Sequence, residues 1–191
     1  MVIHSEEKSG FTLVVDHDQD AESPREWDNA CKLSLHHRRY ALPEELGISS
    51  RNFGSWEEME AAIYRQCGKS SLVLPVYMLA HSGLVLRVGG DFREYGGWDS
   101  GQVGFAVVEP ATGRKEWGRK WREKAARCIA AEVETYNQYL SGEVYCYAIE
   151  NIAGEVVDSC CGFYGFDYVL AEARAALANH AKEETTSKQS P

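Results

Sequence analysis

Residues 72–79 (LVLPVYML) form an apolar run, and after Ser82-Gly83 a second run covers residues 84–88 (LVLRV). Two β-prone runs joined by a short serine–glycine turn read as an antiparallel hairpin. The arrangement recurs near the other end of the chain. Residues 144–149 alternate Tyr145 and Tyr147 against Cys146 and Ala148, Ala153-Gly154 makes a turn, and residues 156–160 are the partner run. Further strands are expected over 11–15, 31–35 and 102–108. Strands arriving as neighbouring hairpins, not alternating with helices, place the chain in the α+β class, single-domain, with a mainly antiparallel sheet.

Helices are expected where capping signals and apolar spacing coincide. Ser55-Trp56-Glu57-Glu58 is a capping box, Met59, Ile63 and Cys67 follow at helical spacing, and Gly68 stops the helix. A long helix is expected over 114–140, ending at Ser141-Gly142, with Ala125, Ile129, Val133, Tyr136 and Leu140 as its apolar stripe. Asp167 caps a last helix over 168–182. Ser23-Pro24-Arg25-Glu26 has the form of a helix start and gives a short helix or turn. With 191 residues, one domain over 1–182 and a disordered tail over 183–191 are expected.

Charge and cysteine usage set the chemistry. The formal net charge is −9, and residues 1–60 hold 13 acidic against 6 basic groups. Such a chain repels nucleic acid unless a local basic patch offsets it, and suits a basic partner surface. No apolar run approaches the length of a membrane helix and no leader pattern opens the sequence, so a cytoplasmic protein is expected. The six cysteines lack Cys-x-x-Cys or metal-knuckle spacing and are expected as free thiols, with no cofactor implied.

The densest motif is GGWDSGQVGF at 96–105, with six glycines between Gly89 and Gly104. These glycines lead into a strand and no lysine follows Gly101, so no phosphate cradle forms. Ser100 lacks the flanking glycines of a nucleophile elbow. Either the backbone turns sharply here or it presses against something a side chain would block. An exposed loop carrying Arg93, Tyr95, Trp98 and Asp99 suits recognition. Asp16-x-Asp18-x-Asp20 imitates the start of a calcium loop, but Ala21 and Trp27 occupy the places of its glycine and glutamate. Together with Glu22 it is a dense negative patch.

His36-His37-Arg38-Arg39-Tyr40, read as a strand, puts His36 and Arg38 on one face and His37 and Arg39 on the other. With Asp28, His81 and Asp99, the histidines His36 and His37 make a conceivable metal set. Arg114 to Arg127 carries seven Lys/Arg, and Arg119, Lys120 and Arg122 beside Trp121 are a candidate nucleic-acid contact. Cys160-Cys161 raises the question of a reactive thiol, with a packed cysteine the plainer reading.

Several phrases in order, EWDN (26–29), HRRY (37–40), HSGL (81–84), WDSGQVGF (98–105), AEVETYNQYLSGEVY (131–145) and DSCCGFYG (158–165), resemble an uncharacterised family of small proteins encoded by bacteriophages and other mobile elements. The resemblance spans most of residues 11–170 and carries over no catalytic residue. It implies a host cytosol and a binding role against host machinery, of the anti-CRISPR or antirestriction type. The leading expectation is thus a non-enzymatic protein that blocks a host defence nuclease complex. Asp16, Asp18, Asp20, Glu22, Arg93, Tyr95, Trp98 and Asp99 would be its contacts. The rivals are a small metal-dependent enzyme using Asp28, His36, His37, His81 and Asp99, and a nucleic-acid-binding accessory protein.

Overall fold

A computed structural model describes residues 2–95 and 99–187. It is an α+β chain with two four-stranded antiparallel sheets. The chain divides into two compact units, Met1–Ser23 with Ser141–Pro191, and Pro24–Leu140.

The first unit holds β1 (His4–Lys8), β2 (Phe11–His17), β7 (Val144–Glu150), β8 (Val156–Tyr164) and α4 (Phe166–Ser187). Its strand order is β1-β2-β7-β8. The polar lead, which carries no apolar alternation, is β1, turned onto β2 by Ser9-Gly10 with both residues at positive φ. Alternation on β2 and β7 sends Leu13, Val15, Tyr145 and Ile149 to one face, where Val169, Ala173 and Leu177 of α4 cover them. Helix α4 continues past Lys182 to Ser187, and residues 188–191 of the expected tail lie outside the described residues.

The expectation of six free thiols is corrected here: Cys146 and Cys161 form a disulfide. The β7–β8 register shifts between Tyr145 and Tyr147, and Gly162 takes φ +82°. This bulge sets Cys161 beside Cys146, with Cα atoms 4.0 Å apart. Sequence spacing carries no trace of a register shift. Cys31, Cys67, Cys128 and Cys160 are free.

The second unit holds β3 (Lys32–Leu35), α1 (Trp56–Cys67), β4 (Leu72–Ala80), β5 (Leu84–Val88), β6 (Ser100–Val108), α2 (Pro110–Trp117) and α3 (Trp121–Ser141), which crosses its boundary. The sheet order is β3-β6-β4-β5. Both faces are covered. Cys31, Leu33, Val76, Ala106 and Val108 meet Trp121, Ala125, Ile129, Val133 and Tyr136 of α3. Val73, Phe105 and Val107 meet Met59 and Ile63 of α1. Each fully buried aliphatic side chain here contributes roughly 2 kcal/mol. Helix α1 starts as its capping box implies, Ser55 Oγ accepting from the Glu58 N–H at 3.3 Å, with the Glu58 carboxylate accepting from Gly54 N–H at 2.8 Å.

The expected long helix over 114–140 is broken. Gly118 takes φ +73°, ending α2, and a short 3-10 turn through Lys120 leads into α3. The broken geometry folds α2 back so that Gly113 lies under the Trp121 ring, where a Cβ would stand 2.2 Å from Cε3. The stripe on α3 stands as read, with Leu140 partly buried beside it. Asn137, on the same helix, closes the outer edge of the sheet: its Oδ1 accepts from Leu86 N–H at 2.8 Å and its Nδ2 donates to Leu86 O at 2.9 Å.

The question of the glycines has an answer at Gly104. A Cβ there would lie 2.0 Å from the Ser34 carbonyl oxygen, and φ is +152°. The backbone of central strand β6 is pressed against β3. Gly101, by contrast, has nothing within 4 Å of a built Cβ. Gly96, Gly97 and Trp98 lie outside the described residues.

Candidate functional site

Strand β3 ends at Leu35, so the motif His36 to Tyr40 is a loop and not the strand that alternation suggested. The loop leaves the sheet after His36, whose N–H still donates to Val103 O at 2.7 Å. It returns at Pro43, whose carbonyl accepts from Leu35 N–H, and at Glu44, which bridges Ser34. Glu45 then locks the return. Its backbone N–H donates to Leu33 O, and its carboxylate accepts from Leu33 N–H at 2.8 Å.

Behind this loop lies Arg25, its side chain 6% exposed. Nε and Nη2 donate to the two Glu45 oxygens, each at 2.8 Å, Nη1 to Glu132 at 2.9 Å, and Nη2 also to Cys31 O at 2.7 Å. Burial alone would weaken the guanidinium's hold on its proton, but the bonds it donates to Glu45 and Glu132 outweigh it and raise its pKa. Glu132 also accepts from the N–H groups of Ala30 and Cys31. Burial, with the Glu132 charge behind it, pushes the Cys128 thiol up to about 11. These groups hold structure together, and burial keeps the Cys128 thiol protonated at neutral pH.

His36 is the functional candidate on this support. Its side chain is 8% exposed, and Nδ1 lies 2.5 Å from Glu44 Oε1. A carboxylate accepts and does not donate, so the Nδ1 proton points at Glu44 and Nε2 faces away from it. Among the described residues two buried side-chain polar atoms have no partner, His36 Nε2 and Ser34 Oγ. They belong to positions i and i+2 along the end of β3, both toward the α1 side of the sheet.

Two hollows meet at His36. One, of about 460 Å³, is lined by His36, His37, Arg38, Glu44, Ser49, Ser50 and Arg51. The other, of about 360 Å³, is walled by Phe53, Trp56 and Met59, with His36, Arg38 and Ser50 shared. The first offers two guanidinium groups and two hydroxyls, the second an apolar and aromatic surface. Polar groups converging beside an aromatic wall are the ordinary make-up of a small-ligand site. Trp56 is fixed edge-on against Phe105, ring centroids 6.1 Å apart.

The sequence singled out His36 but not Glu44, Ser49, Ser50, Arg51, Phe53 or Trp56. Nothing in their local spacing marks them, since the loop return and the turn over 50–52 bring them in. The other proposed metal residues do not join His36. His37 stacks on Tyr40 with centroids 4.9 Å apart. His81 pairs with Asp99 at 3.5 Å in the open, side chains 73% and 59% exposed. Among the described residues, Asp28, His36, His37, His81 and Asp99 supply no group of three converging ligands.

The expected partner contacts divide between the units. In the first, Asp18 accepts two backbone bonds, Oδ1 from Asp20 N–H at 3.0 Å and Oδ2 from Gly162 N–H at 3.1 Å. Asp16 Oδ1 accepts from His17 N–H at 2.7 Å, while Asp20 and Glu22 are exposed. In the second, Arg93 pairs with Asp91 and Tyr95 is 63% exposed. Of the basic candidates, Arg119 and Lys120 are exposed, while Arg122 stacks on Trp121 and donates to the carbonyls of Ser70 and Ser71.

No helix among the described residues is long and apolar enough to cross a membrane. The chain matches no protein-family model, no curated protein and no solved structure.

Proposed function

We propose that this chain is a ligand-binding protein that takes a phosphate-bearing aromatic molecule, of the nucleoside monophosphate class, at His36. The observation that carries the reading is the His36 side chain, held through Nδ1 by Glu44 in the lining that two hollows share, its Nε2 enclosed and without a protein partner. Arg38 and Arg51, with Ser49 and Ser50, supply charge-assisted donors for phosphate oxygens, and Phe53 and Trp56 supply the surface for a base. Titration calorimetry with adenosine monophosphate tests it. Binding should weaken at least about tenfold in His36→Ala and in Arg38→Ala/Arg51→Ala, each loss matching about 1.4 kcal/mol or more. Equal affinity in all three proteins, or no heat of binding, refutes it.

A second reading follows from the phage-family resemblance and is favoured by the exposure of Asp20, Glu22 and Tyr95. In it the chain is a phage or mobile-element accessory protein that binds a host protein, a nucleic-acid-binding defence complex. A salt-sensitive pull-down from host lysate that is lost on Asp20→Lys/Glu22→Lys would support it. The same capture by the charge-reversed protein would remove it.

A further inference from the structure

The sheet face of the first unit that points away from α4 carries residue types that bind metal. Asp16 of β2 stands opposite Cys146 of β7 in register, so their side chains share that face. Cys161 of β8 is bonded to Cys146. Asp18, one residue beyond the end of β2, completes the group: one carboxylate oxygen and both sulfurs lie within 4.8 Å of one another. The Asp18 carboxylate is held from two sides by the N–H groups of Asp20 and Gly162, and its own N–H donates to Val144 O at 2.8 Å. Each carboxylate oxygen keeps a further lone pair for a ligand. Cys160 does not belong to the group. It pairs with Tyr147, which packs on the α4 side, so alternation turns its exposed thiol to the opposite face.

We propose that reduction of the Cys146–Cys161 bond converts this cluster into a Zn²⁺ site with Cys146, Cys161 and Asp18 as ligands. A dithiol reductant supplies two electrons and two protons. The S–S bond breaks, two thiols form, and the reductant leaves as a disulfide. Zn²⁺ then displaces both thiol protons to solvent and binds the two thiolates and one Asp18 oxygen, with water in the fourth place. Zinc–sulfur bonds of about 2.3 Å at tetrahedral angles need the sulfurs about 3.8 Å apart. The donors already lie within 4.8 Å, so the sulfurs need only separate while Asp18 stays in its two backbone bonds. Two thiolates with one carboxylate select zinc over calcium or magnesium, which take oxygen donors alone. The disulfide form has no thiolate and binds none, so occupancy reports the redox state.

The test uses the whole chain, reduced anaerobically and freed of reductant by gel filtration, against the oxidised chain. Zinc uptake is read by competition with a chromophoric chelator, and Co²⁺ is added as a probe of thiolate ligation. The proposal expects one equivalent of zinc in the reduced protein, none in the oxidised protein, and a thiolate-to-cobalt absorption band only after reduction. Cys161→Ser should abolish uptake, Asp18→Asn should weaken it at least about tenfold, and Cys160→Ser should leave it unchanged. Failure of the reduced wild-type protein to bind zinc, equal uptake by the oxidised protein, or loss in Cys160→Ser matching that in Cys161→Ser would each overturn it. The wild-type comparison needs no variant to fold.

Discussion

Replacing Arg25 by methionine isolates the charge that holds the candidate site's loop from behind. Methionine fills much of the same space, so the loss is electrostatic and not a cavity. The substitution removes four donor contacts, to both Glu45 oxygens, to Glu132 and to Cys31 O. It leaves the Glu45 and Glu132 carboxylates, 25% and 15% exposed, without their counter-charge. Breaking a buried pair from one side costs about 3–5 kcal/mol. The partial water access of both carboxylates places this case near the lower end, about 3 kcal/mol. At about 2–4 °C per kcal/mol for a chain of this size, the melting temperature should fall by roughly 6–12 °C. Arg25→Lys keeps the charge but not the fork, and should lose about half as much. Neutralising the partners as well, in Arg25→Met/Glu45→Gln/Glu132→Gln, should recover part of the loss, since no buried charge is then stranded. Differential scanning calorimetry reads all three. A shift below about 3 °C in Arg25→Met, or a triple variant less stable than the single one, would refute the reasoning.

Three further outcomes follow from the same structure. Gly104→Ala drives a methyl group to 2.0 Å from Ser34 O at a φ of +152° and should destabilise by about 2 kcal/mol or more, while Gly101→Ala, in open space, should change the melting temperature by less than about 2 °C. Asn137→Ala strands the Leu86 N–H and C=O and should cost about 1–3 kcal/mol, read by faster hydrogen exchange at the Leu86 amide. The hydrogen bond from Arg174 holds the Glu6 carboxyl below its ordinary pKa. A depressed folded-state pKa stabilises above the unfolded carboxylate value of about 4.3 and is lost as pH falls through the folded value. A carbon-detected titration of Glu6 should therefore move to higher pH in Arg174→Ala.

Much of the architecture was legible because it rests on local signals. The 72–88 hairpin, the Ser55 cap and the α3 stripe follow from alternation, capping chemistry and 3.6-residue spacing, and each stands in the structure. What was missed depends on single backbone angles or on register. Gly118 looked like one more residue in a helical window, yet its positive φ breaks the helix. The Cys146–Cys161 bond depends on a one-residue shift between β7 and β8. At the candidate site, His36 was visible as a histidine in a basic motif, but its setting was not. Glu44 reaches it through a loop return, Arg51 and Phe53 through a 3-10 turn, and Trp56 through the start of α1.

The most direct test of the His36 site is a long-range ¹H–¹⁵N spectrum of the histidine rings during titration with adenosine monophosphate. The chain has six histidines; His37 shares the lining of the first hollow, so His4, His17, His81 and His180 serve as internal controls. The ligand-binding account predicts a saturable shift at His36 Nε2 larger than at any ring nitrogen of those four controls, while Nδ1 keeps the signature of its bond to Glu44. Saturable shifts at other histidines with His36 Nε2 unmoved, or no shift at any ring nitrogen, would contradict it.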